Sequence, residues 1–584
     1  MHTRPSSQGS WRFLCVLLPL LVACGDSDSG KDAGSLPDSG TPDSGLPPED
    51  AGTPDSGPPL EDAGTPDSGS PPWDGTYTVL EDQGDWIDRG RYDTCQFLDA
   101  ENLDPQRCQS LSSFDLSSCS TEQLSALEGQ GIFQLSTRTE LRVRADRPTS
   151  TSVSNGSGAF QLSLDGSKDS MGNAPLLARV TEGGTFFVAG RRTNWTPMGD
   201  ATTTTAFAGC HVPSPGVITG CYVSCFDSPF SGYSKTLGTF EAYRMTWVPG
   251  EGESSGGLSR VGEASTPIGL PVDIYVAKEH AYVVSLGRTP QVGGLSVFDV
   301  KDRTNPTLVK TISIAGDGAW NGVWAKGDAL YIASDSSGLV VFDISDPANP
   351  VFVRRAEGPA QVHTVLVEGN RVYANSAGTG TYVYDITTPL EPTLLQLVTP
   401  TPGGFSGGPH DSFVYGDRLY ISNADSGFSI MDITDLDNVQ HLGNYTPPGS
   451  FVYAHHNAVG TFAGRTIAFE GGEGAGAHLR VLDVTDPTNI PLIGTFRMRA
   501  PASIHNLLLR GNLLYIAWYQ EGLRVIDVSN PTQPRQVAHF NTFREDHPDQ
   551  MPGSLEGAIG VRIPGDGYVY VVDSARGLII LDEL

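Results

Sequence analysis

Gly338-Leu-Val-Val-Phe-Asp-Ile-Ser-Asp-Pro347 is one of seven copies of a single phrase in this chain of 584 residues. The other copies begin at Gly294, Thr381, Gly427, His478, Gly522 and Gly577. Their spacing of roughly 40–55 residues is the period typical of propeller blades. The repeat therefore predicts a ring of seven similar β-sheets.

Each repeat predicts four short strands separated by turn residues. The seventh copy stops at Leu584, directly after its third strand. The segment 257–264 precedes the first complete repeat and has no strand partners of its own. We therefore expect Leu258–Glu263 to pair with Leu578–Leu581, which removes two exposed sheet edges. The junction residues are Leu258, Val261, Leu578 and Ile580.

The repeated phrase resembles the LVIVD repeat, an extracellular motif of bacteria and archaea. Gly338–Pro350 and Gly522–Pro534 fit that motif closely. The resemblance covers about residues 258–584, and it implies a β-propeller on a cell surface or in the periplasm. It implies no defined activity.

The N-terminus predicts an exported, lipid-anchored protein. Arg4 and Arg12 flank a short apolar run, which ends in Leu21-Val22-Ala23-Cys24-Gly25. The run is too short to span a bilayer stably, and the order of its parts fits a signal peptide, residues 1–23. The string resembles a bacterial lipobox, which implies that Cys24 carries acyl chains in the cell envelope, at the outer membrane or cell surface. An ordinary secretory signal is the alternative.

Residues 24–72 predict a disordered tether. Between Gly25 and Pro72 there are eleven acidic residues and one base, with almost no apolar side chains. Such a segment cannot bury a core. The whole chain has a formal net charge of −30. This acidity argues against nucleic-acid binding and against electrostatic adhesion to anionic lipid.

Residues 73–249 predict a small antiparallel β domain, either a sandwich or a barrel. An even number of cysteines in an exported chain indicates disulfides, although Cys221 and Cys225 also have tolerable spacing for zinc. Proximity suggests one local bond within the first three cysteines, one bond between the two groups and one local bond within the last three. The six cysteines are Cys95, Cys108, Cys119, Cys210, Cys221 and Cys225. The glycine-rich segment 250–257 predicts a linker to the propeller.

Histidines recur at one position of the repeat, ten residues before a repeated tyrosine. This position holds Asn321, His363, His410 and His505, and in the fifth repeat it falls at His455, His456 or Asn457. We take His456 as that candidate, with Asp411 beside the cluster. Imidazoles at the start of the innermost strands suit a divalent transition metal. The alternative is that each histidine bonds a loop carbonyl within its own blade.

The sequence thus predicts an all-β, lipid-anchored protein whose propeller is a non-catalytic platform for a protein or glycan. A metal-binding protein or an enzyme that uses His363, His410, His456 and His505 is the alternative function. No residue is predicted to be catalytic.

Overall fold

The repeated phrase forms the third strand of each sheet in a seven-bladed propeller. Each blade is an antiparallel sheet of four strands, and the strand that begins the blade is innermost. The third strands are almost fully buried, because both faces of each blade pack against neighbouring blades. The predicted period and strand count are therefore confirmed.

The protein is described here by a computed structural model. The structure describes residues 72–288, 291–400, 407–449 and 453–584, all within one compact unit, Ser56–Leu584. The predicted signal peptide, Cys24 and all but the last residue of the predicted tether lie outside the described residues.

The strands of the first four blades follow the repeats in chain order. Blade 1 comprises Leu270–Ala277, His280–Leu286, Gly294–Asp299 and Thr307–Ile312. Blade 2 comprises Trp320–Lys326, Ala329–Ser334, Gly338–Asp343 and Val351–Arg355. Blade 3 comprises Thr364–Glu368, Arg371–Ser376, Gly380–Asp385 and Thr393–Val398. Blade 4 comprises Asp411–Tyr415, Arg418–Ser422, Phe428–Asp432 and Gln440–Tyr445, with a 3-10 turn at Leu436–Asn438.

The last three blades also involve segments from before the first blade. Blade 5 comprises Ala454–Phe462, Arg465–Gly472, Leu479–Asp483 and Leu492–Phe496. Blade 6 comprises Leu507–Arg510, Leu513–Ala517, Leu523–Asp527 and Arg535–Phe540, to which Ser254–Ser255 adds a fifth strand. Blade 7 comprises Ala558–Arg562, Tyr568–Asp573, Gly577–Asp582 and Arg260–Ala264.

The ring closes between the first and last strands of the propeller. Arg260–Ala264 pairs antiparallel with Gly577–Asp582, and Ala264 lies opposite Leu578. This is the pairing expected of Leu258–Glu263 with Leu578–Leu581. Leu258 precedes the strand and is buried against blades 6 and 7, while Val261 lies at a bulge in the ladder.

The domain before the propeller is a closed eight-stranded barrel. Its strands are Gly131–Arg144, Ser150–Leu162, Ser170–Met171, Ala174–Val180, Phe187–Thr196, Gly199–Ser214, Val217–Ser228 and Gly232–Arg244. The last strand pairs with the first and closes the barrel. The interior is packed with aromatic rings, among them Phe133, Phe160, Phe207 and Phe240.

The segment 95–125, called the excursion, precedes the barrel in the chain and covers one side of it. It contains the two-stranded pair Gln96–Phe97 and Phe114–Asp115, the 3-10 turns Pro105–Gln109 and Leu111–Ser113, and the helix Thr121–Ser125. Ser120 caps that helix by accepting a hydrogen bond from the backbone of Gln123.

All six cysteines form disulfides, but the pairing suggested by proximity is wrong. The bonds are Cys95–Cys221, Cys108–Cys225 and Cys119–Cys210, and each joins the excursion to a barrel strand. Cys221 and Cys225 lie four residues apart on one extended strand, and this places their Cα atoms about 13 Å apart. A disulfide needs Cα atoms within about 7 Å, so no local bond can form there.

The segment 73–88 belongs to the propeller surface, although it lies within the predicted β domain 73–249 and Thr76–Leu80 has the alternation of a strand. That strand is absent, because the segment forms one backbone bond with the edge of blade 5, from Leu80 to Leu492, instead of a ladder. Arg480 of blade 5 pairs with Asp82 and Asp85, each at 2.8 Å. The predicted linker 250–257 is also fixed to the propeller, because Glu251 pairs with the buried Arg524 of blade 6 at 2.7 Å.

Candidate metal centre in the propeller channel

The candidate site is built where the inner strands begin. The second strand of every blade has a tyrosine or phenylalanine at the same position, and this residue pairs with a residue of the innermost strand. The position that forms the site lies three residues before that partner. Around the ring this position holds Val272, Asn321, His363, His410, His455, His505 and Ile559. Four consecutive blades thus present an imidazole at one level of the channel.

The four imidazoles form a continuous row. The ring centroids lie 4.5 Å apart between His363 and His410, 3.8 Å between His410 and His455, and 4.4 Å between His455 and His505. His410 and His455 are buried, with 4% and 1% of their surfaces exposed. The fifth-repeat histidine in this row is His455, whereas the sequence candidate was His456.

Backbone carbonyls fix the orientation of two rings in the row. The Nδ1 of His455 lies 3.1 Å from the carbonyl oxygen of His505, and the Nδ1 of His505 lies 2.9 Å from that of Ile559. Nδ1 must carry the hydrogen in both contacts, because a carbonyl only accepts. Each Nε2 is therefore left with its lone pair free, which is the arrangement found in metal-binding histidines.

A carboxylate completes this pair of histidines. Glu473 follows the second strand of blade 5, and its Oε2 lies 3.7 Å from the Nε2 of His455. One ligand atom from each of His455, Glu473 and His505 lies within 4.8 Å of the others. Tyr519 donates a hydrogen bond to the second oxygen of Glu473 and so fixes the carboxylate. Two imidazoles and one carboxylate are a ligand set that zinc and non-haem iron accept.

The other two histidines of the row form a second close pair. The Nε2 atoms of His363 and His410 lie 2.9 Å apart. Asn321 Nδ2 lies 3.1 Å from the same nitrogen of His363, and Asp335 Oδ1 lies 3.3 Å from its Nδ1. This pair borders the His455–Glu473–His505 triad, because the ring of His410 packs against that of His455.

Burial keeps the imidazoles of His410, His455 and His505 neutral. It lowers the pKa of His505 to about 4, and it holds the pKa values of His410 and His455 well below 6.5, with neighbouring histidines adding to the effect. Burial also raises the pKa of Glu473, which Tyr519 partly offsets. Neutral imidazole is the form that binds metals, so the site is ready for a cation at neutral pH.

His456 and Asp411 occupy the next register position and meet each other there. The Nε2 of His456 lies 3.4 Å from Asp411 Oδ2, and its Nδ1 faces the backbone nitrogen of Leu507 at 3.4 Å. Burial raises the pKa of Asp411 to about 7 and lowers that of His456 to about 3. The structure therefore brings His363, His410 and His505 to one level, while His456 and Asp411 form a separate pair.

Sequence reasoning missed Glu473, Tyr519 and Asp335, although the repeat contains a signal for them. All three lie four residues after the second-strand aromatic residue, which is Phe469, Tyr515 and Tyr331 in their respective blades. Aligning the repeats at this second position, and not only at the histidine position, places a carboxylate or phenol beside the imidazoles.

A second cluster of ligand-type residues lies in the barrel and does not form a metal site. Asp93, Cys210 and His211 are close together, but the sulfur of Cys210 is bonded to Cys119. Asp93 accepts hydrogen bonds from Thr219 and His211. The zinc alternative for Cys221 and Cys225 also fails, because both form disulfides.

The LVIVD repeat family model matches residues 317–357, 407–446, 503–542 and 558–582. These segments correspond to blades 2, 4, 6 and 7. No curated protein matches the chain.

Several solved structures, two of them named as β-propeller domains, are similar to part of the chain. The computationally designed Ika8 protein is 13% identical, covers 56% of this chain and 99% of its own, and has a TM-score of 0.40. The WD40 domain of Doa1 is 12% identical over 56% of this chain and 98% of its own, with a TM-score of 0.41. The Cps50 (Swd1) propeller of Myceliophteria thermophila is 13% identical over 55% and 98%, with a TM-score of 0.39. By the family match and its own strand topology, this chain carries LVIVD repeats, folded as blades of a seven-bladed β-propeller.

Proposed function

We propose that this protein is a lipid-anchored protein of the bacterial cell envelope that binds a divalent transition metal in its propeller channel. The observation that carries the proposal is the convergence of His455, Glu473 and His505, whose ligand atoms lie within 4.8 Å of one another. Glu473 was not among the sequence candidates, and His455 was one of the three positions considered for the fifth repeat, where His456 was taken as the candidate.

The surroundings of the triad support a cation. The two imidazoles are neutral, their Nδ1 hydrogens bond carbonyl groups, and Tyr519 orients the carboxylate. Burial costs free energy for an unpaired Glu473 carboxylate, and a cation offsets that cost. Three protein ligands leave at least one coordination position open for water or a small ligand.

Metal titration tests this proposal. The chain from residue 24 with Cys24→Ser, stripped with chelator, is titrated calorimetrically with zinc, cobalt and nickel salts. We expect one equivalent to bind, and His455→Ala and His505→Ala each to weaken binding by about tenfold or more. His441→Ala, an exposed histidine on the outer strand of blade 4, is the matched control and leaves binding unchanged. Absence of binding in the parent chain, or equal binding in His455→Ala, overturns the proposal.

The anchor is tested separately by fractionation of cells. Lipidation at Cys24 keeps the parent chain in the membrane fraction after an alkaline carbonate wash, which removes peripherally bound protein, and the same wash releases Cys24→Ser into the soluble fraction. Among the described residues, no helix is both long enough and apolar enough to cross a bilayer. Recovery of Cys24→Ser in the membrane fraction to the same extent as the parent chain contradicts lipid anchoring through this residue.

A platform for a protein or glycan partner is the second candidate function. It is favoured by the outer strands of blades 1 to 3, which expose apolar side chains although they are sheet edges. These side chains are Leu308, Val309, Val351, Phe352, Leu394, Leu395 and Leu397. Exposed apolar patches of this kind mark interaction sites. Pull-down from envelope extracts tests the platform: a partner retained by the parent chain is lost with Val351→Ser/Phe352→Ser, and one that binds both equally argues against this surface.

A further inference from the structure

The barrel has one end on the propeller and one end free. At the attached end, Arg244 pairs with Glu545 at 2.6 Å and Met245 packs against Phe543. The strands of the barrel run away from this end. The hairpin turns at 196–199 and 228–232 therefore lie at the opposite end, the farthest from the propeller.

These two turns lie side by side. The strands that follow and precede them are paired, with Thr202 opposite Asp227. A Cβ atom on Gly199 would lie 3.1 Å from Cγ of Pro229. The tips of the two hairpins therefore form one protruding surface, made of Trp195, Met198 and Phe230.

All three side chains at this surface are large, apolar and exposed. Trp195 is 71% exposed, Met198 is 62% exposed and Phe230 is 75% exposed. The interior of the same barrel is already filled by aromatic rings, so it has no space in which these three side chains could be buried. Their exposure costs solvation free energy, which binding of the tips to an apolar medium would recover.

The size and shape of this surface favour lipid over a protein partner. A large apolar side chain can bury about 150–250 Å², and these three are 62–75% exposed, so together they offer roughly 300–550 Å². A stable protein interface needs about 800 Å² from each partner. A convex tip with too little area for a protein partner can still insert between lipid headgroups, where tryptophan is the preferred side chain.

The charges around the tips neither attract nor repel a headgroup strongly. Arg191 and Arg192 on one hairpin are balanced by Asp200 and Asp227 on the neighbouring strands. Attachment at this surface therefore depends on the apolar side chains.

We propose that the Trp195, Met198 and Phe230 tips dock the barrel onto the surface of a lipid bilayer. This interaction is independent of the channel metal, and it does not require acylation at Cys24. It gives the barrel domain a role that nothing in the propeller supplies: it sets which side of the ring faces the membrane.

Flotation with phosphatidylcholine vesicles tests the proposal with the chain from residue 24 carrying Cys24→Ser. We expect the protein to float with the vesicles, and added sodium chloride to leave the bound fraction unchanged. Trp195→Ser/Phe230→Ser lowers the partition coefficient by about tenfold or more, while Trp195→Phe/Phe230→Leu restores it. Leu164→Ser is the matched control, since Leu164 is 84% exposed but follows the strand end at the propeller side of the barrel.

Quenching of fluorescence by brominated lipid locates the contact. The parent chain loses more emission than Trp195→Phe, because Trp195 is the indole that enters the headgroup region. Failure of the parent chain to float, or equal flotation of the double serine variant, overturns the proposal. So does self-association of the parent chain that the double serine variant loses, because a second copy then occupies the tips.

Discussion

The Nε2 atoms of His363 and His410 lie 2.9 Å apart in the propeller channel, so a hydrogen lies between them in the metal-free state. Asp335 only accepts, so it requires the hydrogen of His363 on Nδ1. The shared hydrogen therefore belongs to the Nε2 of His410.

This relationship predicts opposite tautomers for the two rings. In chelator-treated protein with ¹⁵N-labelled histidine, long-range proton–nitrogen spectra should show His410 protonated at Nε2 and His363 at Nδ1. His410→Ala and His363→Ala assign the signals. Protonation of His410 at Nδ1 instead contradicts the hydrogen-bond order described here.

Because Asp411 is buried, the free energy of unfolding of the parent chain, compared with that of Asp411→Asn, should depend on pH. Burial raises its pKa in the folded protein to about 7, above the unfolded value of about 3.9. The neutral carboxyl therefore contributes stability at low pH that is lost as pH rises through 7. Relative to Asp411→Asn, the free energy of unfolding of the parent chain should fall by about 2–4 kcal/mol between about pH 4 and about pH 8. Urea denaturation at several pH values measures this difference.

Asp425→Asn is the control for that experiment. Asp425 is an exposed carboxylate in the same blade, so its replacement should leave the pH profile parallel to that of the parent chain. A constant difference between Asp411→Asn and the parent chain across the pH range is inconsistent with a buried, neutral Asp411.

Arg480 should hold the segment 73–88 on the propeller surface. Its side chain is 1% exposed and faces three carboxylates, those of Asp82, Asp85 and Glu470. Arg480→Met leaves these carboxylates unpaired, so we expect a loss of about 3–5 kcal/mol and faster proteolysis within 73–88. Arg510→Met removes an exposed pair with Glu583 and should cost less than about 1 kcal/mol. Equal protease resistance of Arg480→Met and the parent chain contradicts this role.

The three disulfides predict that reduction acts on the barrel alone. Each disulfide joins the excursion to a barrel strand, and the propeller contains no cysteine. Loss of one such bond typically costs 2–5 kcal/mol, so Cys119→Ser/Cys210→Ser should lower the melting temperature of the barrel. Calorimetry with and without reductant should show one transition that moves and one that does not. A propeller transition that shifts with reductant argues against this division.

Gly262 offers a test of ring closure by a single substitution. A Cβ atom at this position would lie 2.1 Å from the carbonyl oxygen of Arg303, in the turn of blade 1. Gly262→Val therefore pushes the closing strand away from blade 1, and we expect the melting temperature to fall by several degrees. At Gly318 the nearest atom is 3.7 Å away, so Gly318→Ala is the neutral control. An unchanged melting temperature for Gly262→Val shows that the closing strand contributes little to the ring.

The sequence by itself determined the propeller, its seven blades and the pairing of its ends. Every blade repeats the same strand alternation and the same turns. The number of blades and the missing outer strand of the last blade can therefore be read from the amino-acid sequence. The same periodicity predicts that His363, His410 and His505 lie at one level of the channel.

Only the tertiary structure decided which residues complete the candidate site. His455 and not His456 enters the row, because the first hairpin of blade 5 is longer than those of its neighbours and places His455 fourteen residues before Phe469 instead of ten. Glu473 reaches His455 from the segment after the second strand of the blade, and its repeat position becomes recognisable as part of the site only once the folded blade places it beside the inner strand. The disulfide pairing and the position of the segment 73–88 were also beyond the sequence, because both depend on which surfaces lie side by side after the barrel and the ring have closed.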